Sequence, residues 1–348
     1  MMATVWFWLV AALLTMYVVL DGFDLGAGAL YLGVARTDEE RRTVLRSIGP
    51  VWDANEVWLL TAGGSLVLAF PKLYASSFSG FYLPLMMVLW LLILRAVAIE
   101  FRSHVESHVW RPFWDVVFFA ASLLLTIFLG AALGNVVRGV PLDGAGYFFS
   151  PLWTNFTTRG DRMGVLDWYT VTVGVTSLLA LLHHGALWVV LKTRDPVRAR
   201  ARKAAAWTWP VLVVAVVVVT GFTFRVQPHV PERLAAQPLG YVFPLLAVGG
   251  LVASFLLSRR GRELGAFLGS VAFLVGMLLS VSFGLYPLVL PATNDAAASL
   301  TVYNAAGPAH GMRVAFFWWI PGMALVAAYT VFVYRSMRGK VSLEGDGY

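Results

Sequence analysis

The sequence predicts an all-α polytopic membrane protein with nine transmembrane helices. Of its 348 residues, 59% are hydrophobic and 13% are charged, and the mean hydropathy is +0.74. A soluble globular domain carries about 25% charged residues. The charges also cluster between apolar runs of roughly 20 residues, the length at which a helix crosses a bilayer. The chain has no cysteine, which excludes disulfides, thiolate metal sites and thioether-linked haem.

Nine apolar segments account for the predicted helices. The first has neither a preceding basic residue nor a small-residue cleavage site, so we interpret it as a helix and not as a signal peptide. It is longer than a bilayer requires, which indicates a tilt or an extension beyond the membrane. The expected spans are residues 4–34, 48–70, 79–101, 113–137, 165–191, 205–225, 239–257, 264–288 and 312–335.

The distribution of lysine and arginine predicts the orientation, because these residues concentrate in cytoplasmic loops. Of the 26 Lys and Arg residues, 18 follow odd-numbered spans, and the run KTRDPVRARARK from Lys192 to Lys203 is the strongest marker. We therefore expect the N-terminus outside and the C-terminus in the cytoplasm. These topogenic loops also explain the net charge of +7, so no nucleic-acid partner is expected. Seven basic residues fall on the outer side: Lys72, Arg138, Arg159, Arg162, Arg225, Arg233 and Arg313.

Two of the apolar segments carry pairs of carboxyl groups. Asp21 and Asp24 in the first span, and Asp53 and Glu56 in the second, are each three residues apart, so each pair shares a helix face. An ionisable group within a bilayer costs at least about 2.5–3.5 kcal/mol and therefore faces a partner or water. Together with Arg95 of the third span, these groups can all lie in the cytoplasmic half of the membrane. Since four carboxyls and one guanidinium cannot all be charged in a dry site, some are protonated or hydrated.

Two interpretations of this cluster stay open: a proton-conducting file that opens to the cytoplasm, and a static polar cluster that fixes helix packing. Trp52 and Asn55 are candidate supporting residues, and for Arg95 a structural counter-ion role is favoured. Glu100 and Arg102 are expected to be ordinary anchors at the inner interface. The same carboxyls would suit a proton-coupled secondary transporter, but we find no inverted repeat and no pair of broken half-helices.

The adjacent His183 and His184 in the fifth span suggest haem ligation. Adjacent residues on a helix point about 100° apart, so both cannot bind one iron. The other four histidines fall in or near loops, which leaves no axial partner on a facing helix. The pattern favours histidines that pack through hydrogen bonds, and it predicts no metal site in this chain.

Several motifs resemble subunit II of cytochrome bd-type quinol oxidases. The resemblance covers nearly the whole chain in order, and it implies two four-helix bundles plus a peripheral helix. We accordingly expect a first bundle at residues 1–137, an external loop at 138–164, a second bundle at 165–288, and a last helix with a cytoplasmic tail at 289–348. The motifs are DGFDLGAGAL (21–30), VWDANEVW (51–58), ALGNVVRGVPLD (132–143), HGALWVVLKT (184–193) and GLYPLVLPAT (284–293).

The resemblance also implies a function. Respiratory oxidases of this family, in the bacterial cytoplasmic membrane, take electrons from a membrane quinol and reduce dioxygen to water. Subunit I, the partner, carries the haems (b and d, or b only) and the quinol-oxidising loop, so subunit II has no catalytic residue and no metal. Some family members add a small single-span subunit or hold a structural quinone in subunit II, beside membrane lipid.

Matching the motifs gives each candidate residue a role. Subunit II contributes to a cytoplasmic proton path, and Asp53 is the first choice for this path. The further candidates are Asp21, Asp24 and Glu56 in the path, with Trp52, Asn55, Arg95 and His184 as supporting polar or packing residues.

Overall fold

The computed structural model describes residues 1–160 and 163–342; the predictions made for Arg162 and for the tail residues 343–348 lie outside them. The described residues are mostly helical, with one small antiparallel hairpin of β1 (Leu288–Leu290) and β2 (Leu300–Thr301). The helices are α1 (Met2–Val34), α2 (Asp38–Ile48), α3 (Trp52–Ala69), α4 (Pro71–Gly80), α5 (Tyr82–Phe101), α6 (Trp110–Arg138), α7 (Trp168–Lys192), α8 (Val197–Val226), α9 (His229–Ala236), α10 (Val242–Arg259), α11 (Glu263–Leu285) and α12 (Ala309–Ser336).

Eight helices are long and apolar enough to cross a membrane, namely α1, α5, α6, α7, α8, α10, α11 and α12. The pair α3 and α4 meets the same criterion together but is bent by 119°, and counting it as one span gives the predicted nine. Pro71 begins α4 at the bend. The predicted second span, residues 48–70, covers α3 and leaves out the bent continuation through α4. The predicted start at residue 48 is wrong, because Ile48 ends the separate helix α2.

Polar caps set two helix starts that hydrophobicity does not mark. Thr37 caps α2 by accepting a hydrogen bond from the Glu40 amide at 3.3 Å, and the Glu40 carboxylate accepts one from the Thr37 amide at 3.2 Å. This reciprocal capping box explains a short helix in a segment expected to be a loop. Asp167 caps α7 in the same manner, accepting from the amides of Tyr169 and Thr170 at 2.7 and 2.9 Å.

Helix α1 lies at the centre and packs against α3, α6, α7 and α11. Its contact with α7 requires glycine on both sides. A Cβ atom on Gly26 would collide with the Leu181 carbonyl, and one on Gly185 would collide with the backbone of Gly26 and Ala27. Small residues of this kind let membrane helices approach closely. The pairing α1–α7 therefore joins the two halves of the chain along their length.

The two ends of the helix bundle differ. We call the end that carries residues 139–160, 163–167 and 286–308 the loop face, and the opposite end, with α2, the α2 face. On the loop face the two connecting segments pack together, since Val140 bridges Ala292 and Phe148 lies against Gly80. Helix α12 contacts α1 and α3, and none of its most apolar 18-residue window is buried, so it is peripheral.

Candidate functional site

A buried cluster of charged side chains joins α1, α3 and α5. The Arg95 guanidinium donates two hydrogen bonds to Asp21, at 3.1 and 2.7 Å, and a third to Glu56 at 2.5 Å. The Arg95 and Asp21 side chains are completely buried, whereas that of Glu56 is 23% exposed. Three of the five groups singled out in the sequence are thus in direct contact.

Asp24 lies one helical turn further along α1 in a separate hydrogen-bonded group. Its Oδ2 accepts a hydrogen bond from Asn55 Nδ2 at 2.8 Å, and the same nitrogen donates to the Leu20 carbonyl at 3.1 Å. The Asn55 oxygen accepts from the Tyr334 hydroxyl of α12 at 3.3 Å. The second oxygen of Asp24 is buried and has no hydrogen-bond partner among the described residues. A charged carboxylate here would leave that oxygen uncompensated, which is costly in an apolar interior.

The charges of the central cluster do not balance. Asp21 and Glu56 share one guanidinium, so if both are ionised one negative charge has no counter-ion. A buried unpaired charge is strongly destabilising, so the extra charge must be neutralised by a proton or by water. Glu56 is the more exposed of the two carboxyls and makes one bond to Arg95 where Asp21 makes two. It is therefore the group of this pair best placed to exchange a proton.

The structure does not bring Asp53 into this cluster. Asp53 is exposed at the first turn of α3, and its carboxylate makes no hydrogen bond or ion pair with the described residues. It shares the outer face of the helix with Val57 and Leu60, which are 47% and 72% exposed. Trp52 beside it points inward and is buried in the core. The sequence spacing placed Asp53 and Glu56 on one side of α3, but it did not show that this side lies at the edge of the bundle.

Both histidines of α7 are buried and fully hydrogen-bonded. The two ring nitrogens of His183 lie 3.2 Å from the Ala205 carbonyl and 3.1 Å from Ser254 Oγ. Those of His184 lie 2.7 Å from Ser270 Oγ and 3.0 Å from the Val19 carbonyl. Because neither ring has a nitrogen without a partner, these residues do not fit a haem. Within residues 1–160 and 163–342, no group of three or more His, Cys, Asp or Glu side chains could hold a metal ion.

A second buried ionic cluster on the α2 face was missed from the sequence. Asp115 of α6 accepts hydrogen bonds from Tyr31, Arg41 and Arg102 at 2.7, 2.7 and 2.6 Å. Arg102 is buried and also bonds Asp38 at 2.8 Å, so the expectation that it is an ordinary interfacial anchor is wrong. Burial alone would lower the pKa of Arg102, but its carboxylate and Tyr31 contacts more than offset this and raise it. A single carboxyl in the apolar run WRPFWDVVFF was the available signal.

Comparison with known proteins finds one family over almost the whole chain. Residues 2–337 match the model of the family described as cytochrome bd terminal oxidase subunit II. The chain is 31% identical to the probable cytochrome oxidase subunit 2 of Haemophilus influenzae, with 97% of this chain and 94% of the relative covered. It is 30% identical to the cytochrome bd-I ubiquinol oxidase subunit 2 of Escherichia coli K12, with 98% and 95% covered.

A third relative and a solved structure also match. The cytochrome bd ubiquinol oxidase subunit 2 of Bacillus subtilis is 31% identical, with 97% of this chain and 96% of the relative covered. The fold matches a chain of the bd oxidase from Geobacillus thermodenitrificans with a TM-score of 0.78 at 17% identity, over 97% and 98% of the two chains. The chain therefore belongs to the cytochrome bd terminal oxidase subunit II family.

Proposed function

We propose that this chain is the haem-free subunit of a respiratory quinol:oxygen oxidoreductase in a bacterial cytoplasmic membrane. In this reaction two quinols release four electrons and four protons, and one dioxygen takes up four electrons and four protons to give two waters. The relatives named as ubiquinol oxidase subunits support this activity. Since His183 and His184 do not fit a haem, we assign the redox centres (haems b and d, or b only) to the partner, subunit I.

We further propose that α3 carries part of a proton path from the cytoplasm to that partner. The observation that carries this proposal is the exposed carboxylate of Asp53 on an otherwise apolar outer face. A carboxylate in contact with lipid hydrocarbon is costly, so this face of α3 requires a polar or hydrated partner surface. Glu56 follows one turn later on the same helix and opens into the Arg95 cluster. Asp53 and Glu56 therefore form a pair that links the interior of this chain to its partner.

The path requires a defined orientation, with the α2 face in the cytoplasm and the N-terminus outside. Support comes from the basic residues of α2, of the start of α8 and of the α10–α11 connection, which all lie on the α2 face. Proton uptake from that side and proton release by quinol on the other side would separate charge across the membrane without a pump.

The decisive experiment compares Asp53→Asn with Asp53→Glu in the purified oxidase. We expect the rate of oxygen consumption of the Asn variant to fall by about tenfold or more, since a positioned proton-transfer group typically contributes 10²–10⁴-fold to the rate. Haem content per protein should stay unchanged, and the Glu variant should recover most of the activity. Loss of haem or of the partner in the Asn variant would make Asp53 structural instead.

A preceding measurement tests the oxidase assignment itself. The tagged chain, purified gently from its own membranes, should give haem bands in a reduced-minus-oxidised spectrum, together with a stoichiometric larger membrane subunit. A haem-free chain without a partner would contradict the assignment and favour the transporter. The bent pair α3–α4 is one discontinuous span, but transporters of that kind carry a matching break in each half.

We do not include a structural quinone in the proposal. A cavity of about 200 Å³ lies between α6, α7, α8 and α11, and its lining is mainly apolar. The hydroxyls of Tyr169 and Thr223 lie 2.9 Å apart, and Thr223 in turn donates to the Val219 carbonyl at 2.7 Å. Both hydroxyl protons are thereby used within the protein, so this pair has no proton left to donate to the carbonyls of a quinone ring. The cavity fits a hydrocarbon chain better than a quinone head group.

A further inference from the structure

A second, larger cavity lies on the loop face, far from the carboxyl clusters. It has a volume of about 990 Å³ and opens between the end of α8, the start of α7 and residues 288–299. This volume is at the upper end of what small-molecule pockets occupy. Three of the seven basic residues on this side of the membrane line it: Arg138, Arg159 and Arg225.

The described residues do not compensate the positive charge of this cavity. Arg138 is buried and forms an ion pair with Asp167, so it is neutralised. Arg159 and Arg225 are exposed, and their guanidinium groups make no hydrogen bond or ion pair within the described part of the chain. None of the described lining residues is acidic. Two positive charges thus converge on one opening at the end of the bundle that carries few basic residues.

The cavity lies where membrane helices end, which is the level of lipid head groups. Trp168 at the start of α7 and Phe222 in the last turns of α8 form its aromatic wall, with ring centroids 5.0 Å apart in an edge-to-face arrangement. Aromatic side chains of this kind mark the membrane–water interface. His229 also lines the cavity and is held by a 3.3 Å contact between Nε2 and the Tyr286 carbonyl.

We propose that this cavity binds the phosphate group of an anionic phospholipid, through Arg159 and Arg225. Guanidinium groups bind phosphate oxygens through paired, charge-assisted hydrogen bonds. The walls at the ends of α7 and α8 place such a phosphate beside the bilayer, so that its acyl chains can remain in the membrane. A free phosphate ion has the same chemistry, and the experiment below separates the two sources.

The test uses the intact purified oxidase, stripped of loosely bound lipid in detergent and titrated with phosphatidylglycerol in mixed micelles. Native mass spectrometry counts the lipid bound to this subunit. The double variant Arg159→Gln/Arg225→Gln should bind one phosphatidylglycerol about 30-fold more weakly than the wild type, at about fivefold per arginine near an anionic surface. Both side chains are exposed and make no hydrogen bond or ion pair with residues 1–160 and 163–342, so the variant should fold.

Two controls make the result specific. The variant Lys72→Gln/Arg313→Gln removes the same charge from the same face outside the cavity, and it should retain wild-type binding. Phosphatidylcholine should not replace phosphatidylglycerol. Binding of inorganic phosphate in the cavity without lipid would assign the site to a soluble phosphate and overturn the lipid proposal. Equal binding of phosphatidylglycerol by the wild type and the cavity variant would overturn the site itself.

Discussion

The buried ion pair between Arg95 and Asp21 should contribute strongly to the stability of the protein. Replacing Arg95 with Met removes two hydrogen bonds from Asp21 and one from Glu56. Asp21 is completely buried, whereas Glu56 is 23% exposed and can hydrate. Removing one partner of a buried pair typically costs about 3–5 kcal/mol, because the other charge is left uncompensated. Most of this cost should therefore come from Asp21.

The assay is thermal unfolding of the purified oxidase, with haem content as a second readout. Arg95→Met should lower the melting temperature by on the order of 5 °C or more. The double variant Asp21→Asn/Arg95→Met removes the stranded charge and should recover a large part of the loss. Arg260→Met, an exposed arginine on the α2 face, serves as the matched control and should have little effect.

Two outcomes would refute this reasoning. If Arg95→Met were as stable as the wild type, the guanidinium would not be needed as a counter-ion, and Asp21 would have to be neutral. If the double variant were as unstable as the single one, the loss would come from the shape of Arg95 and not from its charge. The difference between the two variants measures the charge effect directly.

Three further predictions concern the α2 face and the orientation. Burial alone would raise the pKa of Glu40, but hydrogen bonds from Arg200 and two backbone amides lower it below its usual value near 4.3. Glu40→Gln should therefore lower the free energy of unfolding by up to about 1 kcal/mol at pH 7. This difference in stability between the variant and the wild type should disappear as the pH falls through the lowered pKa. Asp115→Asn should destabilise the oxidase by about 3–5 kcal/mol, measured by thermal unfolding, because it weakens the contacts of a buried guanidinium; wild-type stability would contradict the buried network. Since the chain has no cysteine, a membrane-impermeant maleimide should label Gly144→Cys in intact cells and Ser103→Cys after permeabilisation, and the reverse pattern would invert the proposed orientation.

The sequence predicted the helices well where apolar length alone decides them. The spans that became α1, α6 and α7 agree with the structure within a few residues. It failed where polar local chemistry takes over: the capping box at Thr37 gives α2 its own start, and Pro71 allows a sharp bend. Both signals were present in the sequence, but the apolar average of the surrounding window concealed them.

The carboxyl cluster was predicted in part, for a geometrical reason. A spacing of three residues shows that two side chains share a face of one helix. The structure brings one carboxyl from each predicted pair together, because Asp21 and Glu56 both bond Arg95. The spacing does not show which part of that face another helix covers. That choice depends on crossing contacts such as the one between Gly26 and α7, which involve residues distant in sequence. Tyr334 of α12 joins the site for the same reason, and no local pattern pointed to it.

The geometry places the carboxyls in different surroundings. Asp21 is fixed by two bonds to a guanidinium that does not lose its proton, so it is poorly suited to carry protons. Asp24 is enclosed by Asn55, whose amide transfers protons poorly, and it makes no hydrogen bond with Glu56. In the proposed path, the conducting role therefore falls to Glu56 and Asp53, in the first turns of α3. A path built at the edge of one subunit is incomplete until another chain covers it, and this explains why a subunit without redox centres would be required for turnover.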